Sequence, residues 1–109
     1  MTNRNEIRIA TGKSKSEFNI FDIYYSKGRG LFLTCKVGIV EDLGGFESVT
    51  TSPFADTSYR IKIADMTRKS QKRIDLAGDA LRENYKAINE AYSLGNKARI
   101  EEILREAIQ

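Results

Sequence analysis

The spacing of apolar residues changes once along this chain, and that change limits the folds open to it. Up to about residue 64, apolar side chains recur at every second position; beyond it they recur at every third or fourth. A period of two belongs to strands and a period near 3.6 to helices. A chain that spends its strands first and its helices afterwards predicts an α+β protein, an antiparallel sheet of about five strands followed by a C-terminal helical hairpin.

Five strands are predicted in residues 1–64. Glu6 to Ala10 alternates around Ile7 and Ile9. Glu17 to Tyr25 (EFNIFDIYY) is aromatic and β-branched, with apolar residues on both faces. From Leu31 to Val40, Leu31, Leu33, Cys35, Val37 and Ile39 point one way. Phe46 to Thr51 is a weaker strand, and in Ser58 to Ile63 the residues Tyr59, Ile61 and Ile63 alternate with Ser58, Arg60 and Lys62. Glycine-bearing turns join them at Ser26 to Gly30 and at Glu41 to Gly45. Ser52 to Thr57 holds the only proline.

Residues 65–109 predict a C-terminal two-helix hairpin. Ile74, Ala77, Leu81, Tyr85, Ile88 and Tyr92 form one stripe, in a helix running from an N-cap at Asp65 or Thr67 to a glycine stop at Gly95. Asn96 then caps a second helix striped by Ile100, Ile103, Leu104 and Ala107. A first helix of about 27 residues would be about 40 Å long and would overhang a domain of this size. A second copy covering its far end is the reason to expect a homodimer through the C-terminal helices. A break at Gly78 would give a smaller monomer instead.

At 109 residues, 40% hydrophobic and 30% charged, the chain fits one ordered domain with a modest core. It carries one cysteine and no histidine, which rules out an intrachain disulfide and zinc sites built from Cys and His. The commonest general base is also missing. Cys35 shares parity with Leu33 and Val37, as a buried hydrophobe would. The acidic pairs Glu41-Asp42 and Glu101-Glu102 lack an evident third ligand or orienting partner. An enzyme is therefore not expected, and neither is a metal or cofactor. No leader and no membrane-length apolar run is evident, so a cytoplasmic protein without a membrane partner is the expectation.

Net charge is only +3, but it is unevenly placed. Residues 1–59 hold 7 basic and 7 acidic residues, and residues 60–109 hold 11 and 8. Six of the fourteen residues from Arg60 to Arg73 are basic: Arg60, Lys62, Arg68, Lys69, Lys72 and Arg73. Cations at a helix start oppose the helix dipole, so their placement points to an anionic partner. If Tyr24, Phe32, Lys36, Arg60 and Lys62 share an open sheet face, rings for stacking bases adjoin cations for phosphates. Covering helices would instead make Phe32 a core residue. Arg29, in Gly28-Arg29-Gly30, belongs either to an amide nest for a phosphate or simply to a tight hairpin.

The segment Phe21 to Val37, FDIYYSKGRGLFLTCKV, resembles the strand-turn-strand core of PUR repeats: an aromatic strand with an Asp-aliphatic step, a basic glycine turn and an apolar strand. The resemblance implies a sheet-plus-helix module that binds single-stranded nucleic acid. The long helical hairpin and the additional strand at Ile7 depart from that pattern.

Two functions are thus expected. One is a non-enzymatic protein that engages a polyanion, foremost nucleic acid, through Arg60, Lys62, Arg68, Lys69, Lys72 and Arg73, assisted by Lys36, Phe32 and Arg29. The other is a phage or mobile-element type inhibitor. It would bind a host defence protein or sequester a small nucleotide signal at a dimer interface, with Arg82, Tyr85, Tyr92 and Arg99 as stacking and phosphate-pairing candidates.

Overall fold

The computed structural model describes residues 5–52 and 58–109. It is α+β, with an antiparallel five-stranded sheet covered on one face by three helices. The strands are β1 (Glu6–Ala10), β2 (Glu17–Ser26), β3 (Gly30–Asp42), β4 (Glu47–Thr51) and β5 (Arg60–Ala64). Their order is β1-β2-β3, after which β4 and β5 share the far edge of β3. β4 pairs with residues 38–42 and β5 with residues 31–34. Part of the loop expected at Ser52 to Thr57, including Pro53, lies outside the described residues.

The strand pairings keep the alternation that the sequence carries, except for a register shift between Leu31 and Phe32 where β5 pairs with β3. Phe21 lies opposite Cys35, Ile23 opposite Leu33, and Ile61 opposite Leu33 on its other side. These residues, with Leu31 and Ile63, are buried beneath the helices in one core that also holds Ile74, Leu81, Ile88, Ile100 and Leu104. Fully burying a side chain of this size contributes about 1.5–3 kcal/mol, so the helix-facing side of the sheet carries most of the fold's hydrophobic stabilisation.

The β2–β3 turn uses glycine for two different reasons. Gly28 takes a positive φ of 78° in the turn closed by the Arg29 N–H donating to the Ser26 carbonyl at 3.0 Å. Gly30 is where β5 crosses closest, since a Cβ there would run into the Ala64 carbonyl oxygen.

The helices correct the two-helix expectation. They are α1 (Gln71–Glu83), α2 (Tyr85–Ser93) and α3 (Lys97–Ala107). The expected first helix is two helices, and the interruption is at Asn84, not Gly78. Asn84 leaves helical geometry (φ −117°, ψ 20°), and both its backbone N–H and its side-chain amide donate to the Ala80 carbonyl at 2.9 Å. A short amide side chain competing for the backbone in this way is a known way to end a helix. Gly78 stays inside α1, where its missing side chain admits Asn5 from the lead into β1.

The start of α1 also differs from expectation. Its N-cap is Ser70, whose hydroxyl accepts the Arg73 N–H at 3.4 Å. Asp65 and Thr67 lie in a lead pinned by buried Met66 and by the Tyr25 hydroxyl donating to the Thr67 carbonyl at 3.4 Å. α1 spans 13 residues rather than about 27, and Ile88 is fully buried within the chain. No helix among the described residues is long and apolar enough to cross a membrane.

Candidate nucleic-acid interface

Side chains of the opposite parity lie on the sheet face that carries no helix. Across the strands they form rows: Tyr24, Phe32 and Lys62; then Glu6, Asp22, Thr34 and Arg60; then Arg8, Ile20 and Lys36. Phe32 is therefore not part of the helix-covered core. It is half-buried and stacks on Tyr24, with ring centroids 5.5 Å apart and planes 21° from parallel. The Arg60 guanidinium lies over Phe32, 5.6 Å from the ring centroid, and donates to the Tyr24 hydroxyl at 3.3 Å. This is cation–π range. Lys62 pairs with Asp65, holding that exposed carboxyl below the usual carboxylate range. Lys36 is exposed about 13 Å along β3 from Phe32.

The basic run divides between two places. Arg60 and Lys62 belong to the aromatic face. Arg68 and Lys69 lie in the lead to α1, while Lys72 and Arg73 occupy its first turn; all four are exposed, with no carboxylate partner among the described residues. Lys69 lines a cleft of about 200 Å³ at the edge between sheet and α1, with Ile23, Tyr24, Tyr25, Gln71 and Ile74. Arg29 is exposed at the β2–β3 turn.

Beyond Lys36 the same face is closed. Arg8 on β1 reaches Glu47 on β4 at 2.5 Å, across the two intervening strands. Beneath this pair Ile20 is only 2% exposed, seated on Gly38, where a Cβ would collide with it. The Glu47 hydrogen bond raises the Arg8 pKa above its ordinary value.

Two of the helical residues considered for a small nucleotide already have partners within the chain. Tyr92 packs edge-on against Phe21 and Tyr59, at 5.5 and 4.9 Å between centroids, and Arg99 pairs with Glu102 at 2.8 Å. Cys35 is buried, and desolvation pushes its thiol up to about 12 despite a hydrogen bond with Tyr92, which leaves it protonated at neutral pH. Arg105 donates to the Ile63 and Lys62 carbonyls at 3.2 and 3.1 Å, satisfying main-chain acceptors of β5.

Sequence reasoning passed over Asp22 and Glu6, which face each other across β1 and β2 within this interface. An aspartate at the centre of the apolar run EFNIFDIYY was the available signal. No protein-family model matches the chain, and no curated protein or solved structure does either.

Proposed function

We propose that this chain is a non-enzymatic binding protein that holds single-stranded nucleic acid on the helix-free face of its sheet. One observation carries the proposal: Tyr24 and Phe32 lie stacked on that face, beneath Arg60, with Lys62 and Lys36 at the rim. Rings on a sheet accept unstacked bases, whose faces a duplex hides, and stacking tolerates any sequence because every base has a π-face. The cations supply the phosphate contacts.

The test is binding of labelled single-stranded and double-stranded oligonucleotides across a salt series. Each phosphate contact on a single strand contributes a slope of about −0.7 in log K against log salt. Contacts from Lys36, Arg60 and Lys62 therefore predict a slope of about −2, with single strands bound more tightly than duplex. Absence of binding at low salt would end this reading. Fixed stoichiometry with a mononucleotide or a protein, and indifference to long strands, would favour the inhibitor.

A further inference from the structure

Carboxylates are out of place on a surface meant for phosphates, yet two lie beside the aromatic pair. Asp22 is two residues from Tyr24 on β2, directly opposite Thr34 on one side and Glu6 on the other. With Glu6, Ile20, Thr34 and Lys36 it lines a cleft of about 200 Å³ on the helix-free face. That is smaller than the roughly 300–1,000 Å³ of a drug-sized pocket, and of a size for a single flat ring. The Asp22 carboxylate is half-buried: Oδ1 is sealed from solvent, which leaves Oδ2 as the oxygen a ligand in the cleft can meet.

We infer that the Asp22 cleft is a base-edge subsite, selecting bases that carry an exocyclic amine over uracil or thymine. The inference rests on the single-strand reading above and deepens it. A base stacked on or next to the Tyr24–Phe32 pair turns its edge toward β2 and β3, where Asp22 accepts. An amino group donates to a carboxylate, as in the pairing of Asp or Glu with the cytosine amine. Uracil presents a carbonyl oxygen at that position, and two like acceptors repel. Lys36, in the same cleft, donates to the ring's acceptor positions. Desolvation, and then the charge of Glu6, push the Asp22 carboxyl up to about 6, so the acceptor is ionised at neutral pH.

The test compares short oligo(dU) with the same strand carrying cytosine at alternate positions, at neutral pH. Wild type should bind the cytosine-bearing strand about tenfold more tightly. Asp22→Val, which removes the acceptor and suits a strand, should abolish that preference without weakening oligo(dU). Asp22→Asn, which keeps an acceptor, should restore part of it. Equal binding of the two strands by wild type, or a preference surviving in Asp22→Val, overturns the inference. Phe32→Ala separates the two levels of the argument by weakening both strands alike. If Phe32→Ala changes neither, or no strand binds at all, the single-strand reading fails and this inference falls with it.

Discussion

The helix-free face has two halves built from the same strands and finished in opposite ways. Toward the β3–β4 hairpin, Ile20 lies on Gly38 and the Arg8–Glu47 pair passes above it. Toward the β2–β3 turn, Tyr24 and Phe32 lie side by side with a guanidinium above and nothing apolar sealing them. The first half is closed by one buried isoleucine and an ion pair, and the second leaves two half-buried rings uncovered by any helix. Both rings are half-buried and stacked on each other, and the proposed binding uses the faces that remain open.

The largest expected effect falls on the open half. Replacing Phe32 or Tyr24 with Ala should weaken single-strand binding by about 1–3 kcal/mol per lost stacked base, roughly tenfold or more in Kd by titration, with a moderate fall in melting temperature because each ring is half-buried against the other. A large loss of stability with unchanged binding would reverse the roles assigned to the two halves.

Gly38→Val makes the reciprocal test on the closed half. The added side chain must displace Ile20, and overpacking of this kind costs about 1–3 kcal/mol. A fall in melting temperature of about 4–8 °C per kcal/mol is expected for a domain of this size, with oligonucleotide affinity nearly unchanged.

Asp22 links the face to pH. Its folded pKa of about 6 lies above the ordinary value of 3.8, so the native state binds the proton more readily than the unfolded chain does. The sign follows: the cost of ionising Asp22 is fully present above about pH 6 and is relieved as pH falls toward 3.8. Asp22→Asn should raise the melting temperature at neutral pH and remove this part of its pH dependence. Acidification through pH 6 should also tighten binding of oligo(dU) to the wild type, because the face loses a negative charge.

Smaller effects are expected from charges. Lys62→Glu should flatten the salt dependence by about one phosphate contact and weaken all sequences alike. Glu47→Ala should cost no more than about 1 kcal/mol, as for other exposed ion pairs, and leave binding in place.

Much of the sheet was legible in the chain because period-two alternation fixes each side chain's face. Leu31, Leu33 and Cys35 could share a core only if Phe32, Thr34 and Lys36 faced away, and that parity brought Tyr24, Phe32, Arg60 and Lys62 together. Alternation does not say which face the helices cover, so the exposure of Phe32 needed the structure. The helix break was hidden because Tyr85, Ile88 and Tyr92 continue the stripe through Asn84. One asparagine within a periodic run weighs little against that pattern, and its side-chain bond to Ala80 appears only in three dimensions. The Arg8–Glu47 closure joins residues 39 apart in sequence, a contact set by how the sheet brings its two edges together. Asp22 entered only as part of the Asp-aliphatic step and not as a site residue, because a lone acid in a strand ordinarily faces water, whereas here Glu6 and Thr34 flank it.

The most direct measurement follows backbone amide shifts by NMR as a short single-stranded oligonucleotide is added. Saturable shifts at Tyr24, Phe32, Thr34, Lys36, Arg60 and Lys62, with Leu43 to Val49 and α2 silent, are the predicted result. Shifts confined to the helices or the β3–β4 hairpin, or none at low salt, would contradict the assignment of the open half as the binding surface.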